Sequence, residues 1–92
     1  MNNLYVVHLH RIEGSYYFGA FDSIPKLREA LEDCFENHKR NPWKDYYLDD
    51  IHKIKIGETL NIVVKPVDYF WNIYVCIAYL ELNTYYKKTK GL

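Results

Sequence analysis

His8 and His10 have the spacing most suggestive of chemistry in this chain. They stand two positions apart in a run of strand-formers, Tyr5-Val6-Val7-His8-Leu9-His10, so both imidazoles share one side of a strand, as metal ligands sometimes do. A metal centre needs further ligands, for which His52 and Glu13 are the candidates. Nothing in the spacing requires them, half-exposed strand histidines are the simpler reading, and no metal is expected. Cys34 and His38 lie four apart on a helical pattern, within reach of each other as a nucleophile and its base. Cys34 also falls on an apolar stripe, where a buried inert thiol is expected rather than a thiolate. The chain has no phosphate-cradling glycine loop, no paired-carboxylate motif and no zinc-type cysteine spacing. It reads as a non-enzymatic protein without a cofactor.

Its aromatic residues point to binding. The stretch from Asn41 to Asp50 reads as a loop, yet it carries Trp43, Tyr46, Tyr47 and Leu48 among Lys44, Asp45, Asp49 and Asp50. Exposed loops rarely hold so many large apolar groups, so its rings either seal one end of the core or meet a partner. The second concentration is the strand Trp71-Asn72-Ile73-Tyr74-Val75-Cys76-Ile77-Ala78-Tyr79-Leu80, which has no charge and follows Tyr69-Phe70. It is apolar on both faces, whereas a strand with one wet face alternates. The expected partner-binding residues are Trp43, Tyr46, Tyr47, Asp49 and Asp50 of the loop, with Tyr69, Trp71, Tyr74 and Tyr79 around the strand. A protein partner is the first expectation, because Tyr and Trp supply contact area at low entropic cost.

Two other classes use the same residues. Rings on a sheet can stack unpaired bases, and His38-Lys39-Arg40, Lys44, His52, Lys53, Lys55 and Lys87-Lys88 would be the basic path of a single-stranded nucleic-acid binder. The acids interleaved with them argue against it. A symmetric oligomer could instead sequester a small nucleotide, with tyrosines on the base and Arg11, Arg28 or Arg40 on phosphate.

Twelve basic residues balance twelve acidic ones in 92 residues, so no broad field draws the chain to nucleic acid or membrane, and no acidic excess suggests a DNA mimic. The apolar run is shorter than the ~18 residues that span a bilayer, and Met1-Asn2-Asn3-Leu4 lacks the basic and apolar regions of a signal peptide. A cytoplasmic location follows as an expectation. Cys34 and Cys76 then read as reduced small hydrophobes rather than a disulfide.

These residues must be positioned by one domain, 1–92, with a polar tail from about 87. Leu4 to Ile12 reads as a strand and Glu13-Gly14-Ser15 as a tight reversal into a second strand, Tyr16 to Phe21. Ser23 can cap a helix in which Pro25 occupies the first turn. Leu27, Ala30, Leu31, Cys34 and Phe35 then recur at helical steps, and about 16 residues of helix are expected, fading at His38-Lys39-Arg40 before Pro42. Ile51 to Ile56 reads as a third strand, Leu60 to Lys65 as a fourth ended by Pro66, and Trp71 to Leu80 as a fifth. The order ββαβββ predicts an α+β fold: a single antiparallel sheet of about five strands with one helix packed on one face. One short helix covers part of one face, so the other needs sheet curvature, the Trp43 loop or a second molecule. A homo-oligomer is expected for that reason.

Tyr5-Val-Val-His-Leu-His-Arg11, Phe18-Gly-Ala-Phe-Asp-Ser-Ile-Pro-Lys-Leu-Arg-Glu-Ala-Leu31 and Ile51-His-Lys-Ile-Lys-Ile56 carry a resemblance. They resemble a group of small bacterial and phage proteins without assigned activity, in which a second strand ending in Gly-x-Phe/Tyr-x-Ser runs into a Lys-x-x-Glu-Ala-type helix. The resemblance covers about two thirds of the chain, stops before Val67 and transfers no site residues. It implies a phage or mobile-element protein, located in the host cytoplasm. Proteins of that kind and size often inhibit host defence systems by occluding a partner surface.

Overall fold

The computed structural model describes residues 3–38, 40–68 and 70–81. Four strands and two helices follow in the order β1 (Asn3–Arg11), β2 (Gly14–Phe21), α1 (Ile24–Cys34), α2 (Tyr47–Lys53), β3 (Thr59–Val64) and β4 (Ile73–Glu81). All strand pairs are antiparallel, in the spatial order β2-β1-β4-β3. The fold is α+β with a single antiparallel sheet, as the sequence predicts. The sheet has four strands rather than five, and two helices rather than one, because Ile51 to Ile56 is not a strand.

That segment folds as α2 and its exit. Asp49 and Asp50 sit in its first turn and His52 and Lys53 in its last, matching the positive and negative ends of the helix dipole. Tyr47 and Ile51, one turn apart, put their side chains on the core side, and Ile51 is fully buried. Three backbone bonds, Tyr47 N to Lys44 O, Leu48 N to Asp45 O and Asp49 N to Tyr46 O (3.0–3.1 Å), wind the preceding residues into the helix. The expected loop therefore ends at Tyr46.

α1 begins as expected. Ser23 is extended, its Oγ accepts from Lys26 N at 3.4 Å, and Pro25 lies in the first turn. It has 11 residues, not about 16, and ends before His38-Lys39-Arg40. Its exit tightens through Glu36 N to Asp33 O at 3.3 Å, and the Asn41 amide donates to the Glu32 carbonyl at 3.1 Å. These bonds satisfy carbonyls that a longer helix would have used itself.

The β1–β2 hairpin turns through Ile12-Glu13 onto Gly14, whose φ of 141° only glycine adopts without strain. Phe18 is an extra residue between the pairs His8↔Tyr17 and Val7↔Gly19, a bulge that bends this edge. At the other edge Glu58 N donates to Lys55 O at 2.9 Å, closing a turn with Gly57 at φ 93°. Gly57 N donates to Tyr79 O at 2.7 Å and Tyr79 N donates to Glu58 O at 3.0 Å. This is a glycine bulge that launches β3 against β4.

Both helices lie on one side of the sheet. Val7, Leu9, Ile62, Val64, Ile73, Val75 and Ile77 meet Leu27, Leu31, Phe35, Trp43 and Ile51 there. Tyr5 and Tyr79, paired across β1 and β4, stack on that side with ring centroids 4.3 Å apart. The aromatic strand, read as Trp71 to Leu80, is β4 from Ile73 to Glu81, and it lies between β1 and β3. Central placement explains its apolar inner face. The expected polar tail from about 87 lies outside the described residues.

Candidate functional site

Strand parity sorts every candidate. Odd positions of β1 and β4 face the helices, so even positions face the other way: Leu4, Val6, His8 and His10 on β1, Tyr74, Cys76, Ala78 and Leu80 on β4. Across the ladders Ser15, Tyr17 and Ala20 of β2 and Thr59, Asn61 and Val63 of β3 share that side. No helix lies on it among the described residues. Tyr17 is 59% exposed, Tyr74 43% and Val63 40%, while Val6, Cys76, Ala78 and Leu80 between them are half-buried. The result is a broad uncharged field with two phenol rings and two imidazoles on it. His8 packs edge-on to Tyr17, with centroids 5.7 Å apart, and faces Cys76 across the β1–β4 ladder.

At the end of this face a cavity of about 370 Å³ is lined by His10, Arg11, Ile12, Trp71, Asn72 and Tyr74. Trp71 is half exposed, and Phe70, 90% exposed, packs edge-on to it with centroids 5.2 Å apart. The lining thus combines two rings, an amide and an imidazole with Arg11, whose guanidinium is engaged by Tyr16 and Cys34, and has no carboxylate among its residues.

Trp71 and Tyr74 are therefore brought together at an accessible place. Tyr79 is not with them: it faces the helices and stacks on Tyr5. Tyr69 lies outside the described residues. Trp43 is only 6% exposed; its ring stacks on Phe35 (6.5 Å, 5° between planes) and meets Tyr47 edge-on at 4.9 Å. It belongs to the core, held by its backbone N–H donating to Asn41 Oδ1 at 3.0 Å. Tyr46 is 65% exposed beside half-buried Tyr47, and Asp49 and Asp50 are exposed on α2. This second group lies on the helix side, so the loop residues and Tyr74 occupy opposite faces and cannot meet one flat surface together.

The catalytic candidates each have another neighbour. His38 Nδ1 lies 2.8 Å from Asp68 Oδ1 and its ring packs on Phe35, while Cys34 sits beside Arg11. Burial pushes the Cys34 thiol up, and the Arg11 charge offsets only part of the shift; burial also pushes the Cys76 thiol up. Both cysteines are free and protonated at neutral pH, so neither is an activated nucleophile. His52 is on the helix side of the sheet, away from His8 and His10, and no group of three metal-ligating side chains forms among the described residues. Of the arginines proposed for phosphate, Arg28 bonds Asp45 through Nε and Nη2 and Glu32 through Nε. Arg40 is exposed on the loop, and Arg11 lines the cavity. No helix of the described residues is long and apolar enough to cross a membrane.

His8, Tyr17, Val63 and Cys76 belong to the open face and were not among the residues expected to bind. Their signal was present as parity: His8 and His10 share a side, as do Tyr74 and Cys76. Only the β1–β4 pairing shows that these are the same side. Comparison with protein-family models, curated proteins and solved structures returned no match.

Proposed function

We propose that this chain is a non-enzymatic binding module that recognises a protein partner through the open face of its sheet. One observation carries this reading: Tyr17, Val63 and Tyr74 stand exposed over a half-buried apolar floor on the side where no helix of the described residues lies. A face of this kind without charge loses little on desolvation, and its phenols suit the anchoring role that tyrosine takes in interfaces. The reading moves the contact surface from the Trp43 loop to Tyr74 and its neighbours. A mobile-element inhibitor that occludes a host defence protein is its most concrete version, supported by the resemblance of residues 5 to 56.

Tyr74→Glu places a charge on the face without touching the core. Proteins from a host lysate retained by the wild type should be lost from this variant and kept by Tyr46→Glu on the opposite side. Retention by Tyr74→Glu would rule the open face out.

The cavity favours a second reading, a nucleotide-sized ligand stacked on Trp71 or Tyr74 with its polar group near His10 and Asn72. Denaturing the purified protein and finding a stoichiometric ultraviolet-absorbing small molecule would decide for it.

A further inference from the structure

The hydrogen-bonding direction of β3 is determined by the bulge that starts it. Tyr79 N donates to Glu58 O, so the Glu58 carbonyl points at β4. Backbone groups alternate sides along a strand, so Leu60, Ile62 and Val64 pair with Ile77, Val75 and Ile73. Thr59, Asn61 and Val63 then direct their N–H and C=O groups away from the sheet. β3 is the last strand in the order β2-β1-β4-β3, and all three of these residues are exposed.

An edge of this kind is usually blunted by lysine, proline, an internal bulge or a covering element. From Thr59 to Val64 the sequence Thr-Leu-Asn-Ile-Val-Val has none of the first two and no charge. The opposite edge, β2, is interrupted by the Phe18 bulge. A regular uncharged strand on a protein of zero net charge is a template for another strand, with no long-range repulsion between copies.

We infer that β3 is the self-association edge of this protein: two copies pair their β3 strands antiparallel about a twofold axis passing beside Asn61. Strand parity selects the register. A twofold axis perpendicular to the sheet opposes residues of the same face, so it must pass at a residue rather than between two. Centring on Asn61 pairs Asn61 with Asn61 of the second copy and Thr59 with its Val63, engaging every outward group of the strand in about six hydrogen bonds. Centring on Ile62 leaves Thr59 without a partner inside the strand. With the axis at Asn61, the two carboxamides face each other on the open side and can exchange a hydrogen bond. The open faces of the two copies merge into one surface, with Val63 and Tyr74 near the seam. The inference rests on the self-association expected from the sequence and leaves partner recognition as a separate matter.

Asn61→Pro removes the central outward N–H and leaves the β3–β4 ladder whole, because the Asn61 N–H does not point at β4. Asn61→Lys keeps the N–H and opposes two ammonium groups across the axis. Light scattering of the wild type at rising micromolar concentration should show twice 11.1 kDa. Asn61→Pro, with wild-type circular dichroism, should dimerise with a dissociation constant at least ~25-fold higher, two lost bonds at about fivefold each, and Asn61→Lys, which keeps those bonds, should dimerise more weakly than the wild type through the opposed charges. Ala20→Lys on β2 should dimerise normally. Residue-resolved amide exchange on the wild type gives a reading independent of the variants: the amides of Thr59, Asn61 and Val63 should gain protection as concentration rises. A wild type that stays at 11.1 kDa overturns self-association itself. A dimer that survives both substitutions, or in which those three amides exchange freely, overturns the β3 edge while self-association stands.

Discussion

Truncating Trp43 separates a core role from a contact role. Its ring is 94% removed from solvent between Phe35 and Tyr47, the complement of its 6% exposure. A large aromatic side chain buries ~150–250 Å², which at ~25 cal/mol/Å² is ~4–6 kcal/mol. A compact unfolded chain removes ~10–40% of that. The indole Nε1–H is buried with no acceptor among the described residues, which subtracts a further ~1–3 kcal/mol. Trp43→Ala should therefore cost ~3 kcal/mol, at the low end of the range for Trp truncations in cores. Set against a total of ~5–15 kcal/mol, that is a large share of the stability. In urea unfolding followed by far-ultraviolet circular dichroism, the midpoint should fall by ~1 M or more with the slope unchanged. Trp43→Phe should cost under ~1.5 kcal/mol, since it keeps a ring against Phe35 and deletes the unpaired N–H. Tyr46→Ala, on the surface, should change stability by less than ~0.5 kcal/mol. The core assignment would be refuted if Trp43→Ala unfolded within ~0.5 kcal/mol of the wild type, or if Trp43→Phe were the worse variant. A loss of binding in Trp43→Ala would report instability rather than a lost contact.

Alkali should destabilise the fold. Burial pushes the Cys34 and Cys76 thiols above their ordinary 9.0 and the Tyr5 and Tyr47 phenols above their ordinary 10.0, with Tyr79 and Tyr46 adding to the last two. Each pKa is higher folded than unfolded, so the folded state holds its protons longer, and stability is lost as pH rises from about 9 through the folded values. A urea midpoint that stays level or rises between about pH 9 and 11 would contradict this. Gly57→Ala should cost ~1–2 kcal/mol, measurable by the same unfolding assay, because φ there is 93°. No atom of the described residues would crowd the added methyl, so the cost is conformational. A neutral Gly57→Ala would mean that the bulge launching β3 relaxes freely, and the outward direction of Asn61 would lose its basis.

Local chemistry was legible where one residue controls one feature. Ser23 and Pro25 mark the start of α1 and Gly14 the first hairpin. The strand-formers of β1, β3 and β4 were each recognised within a residue or two of their ends. Residues 47–53 depart from the local pattern: Ile51, Ile54 and Ile56 suggest a strand, and the segment is a helix. A helix of seven residues has little stability of its own, and α2 exists because Ile51 reaches the core and Tyr47 packs on Trp43. Its local signals, acids before bases and apolar groups one turn apart, were present but weaker than the run of isoleucines. The same helix brings the chain down over Trp43, so of the two roles its sequence leaves open, sealing the core or meeting a partner, its burial fits the first.

Composition and periodicity by themselves determined the class of this protein: an α+β chain with one sheet, no net charge, no catalytic spacing and a strand apolar on both faces. Those properties are local or additive, and each can be counted along the chain. What covers that strand is neither. Pairing β4 between β1 and β3, across more than 60 residues of sequence in the first case, aligned Tyr74 and Cys76 with His8, Tyr17 and Val63 on a side that no helix of the described residues reaches. Only the long-range register could decide this, since a shift of one residue would exchange the buried and open faces.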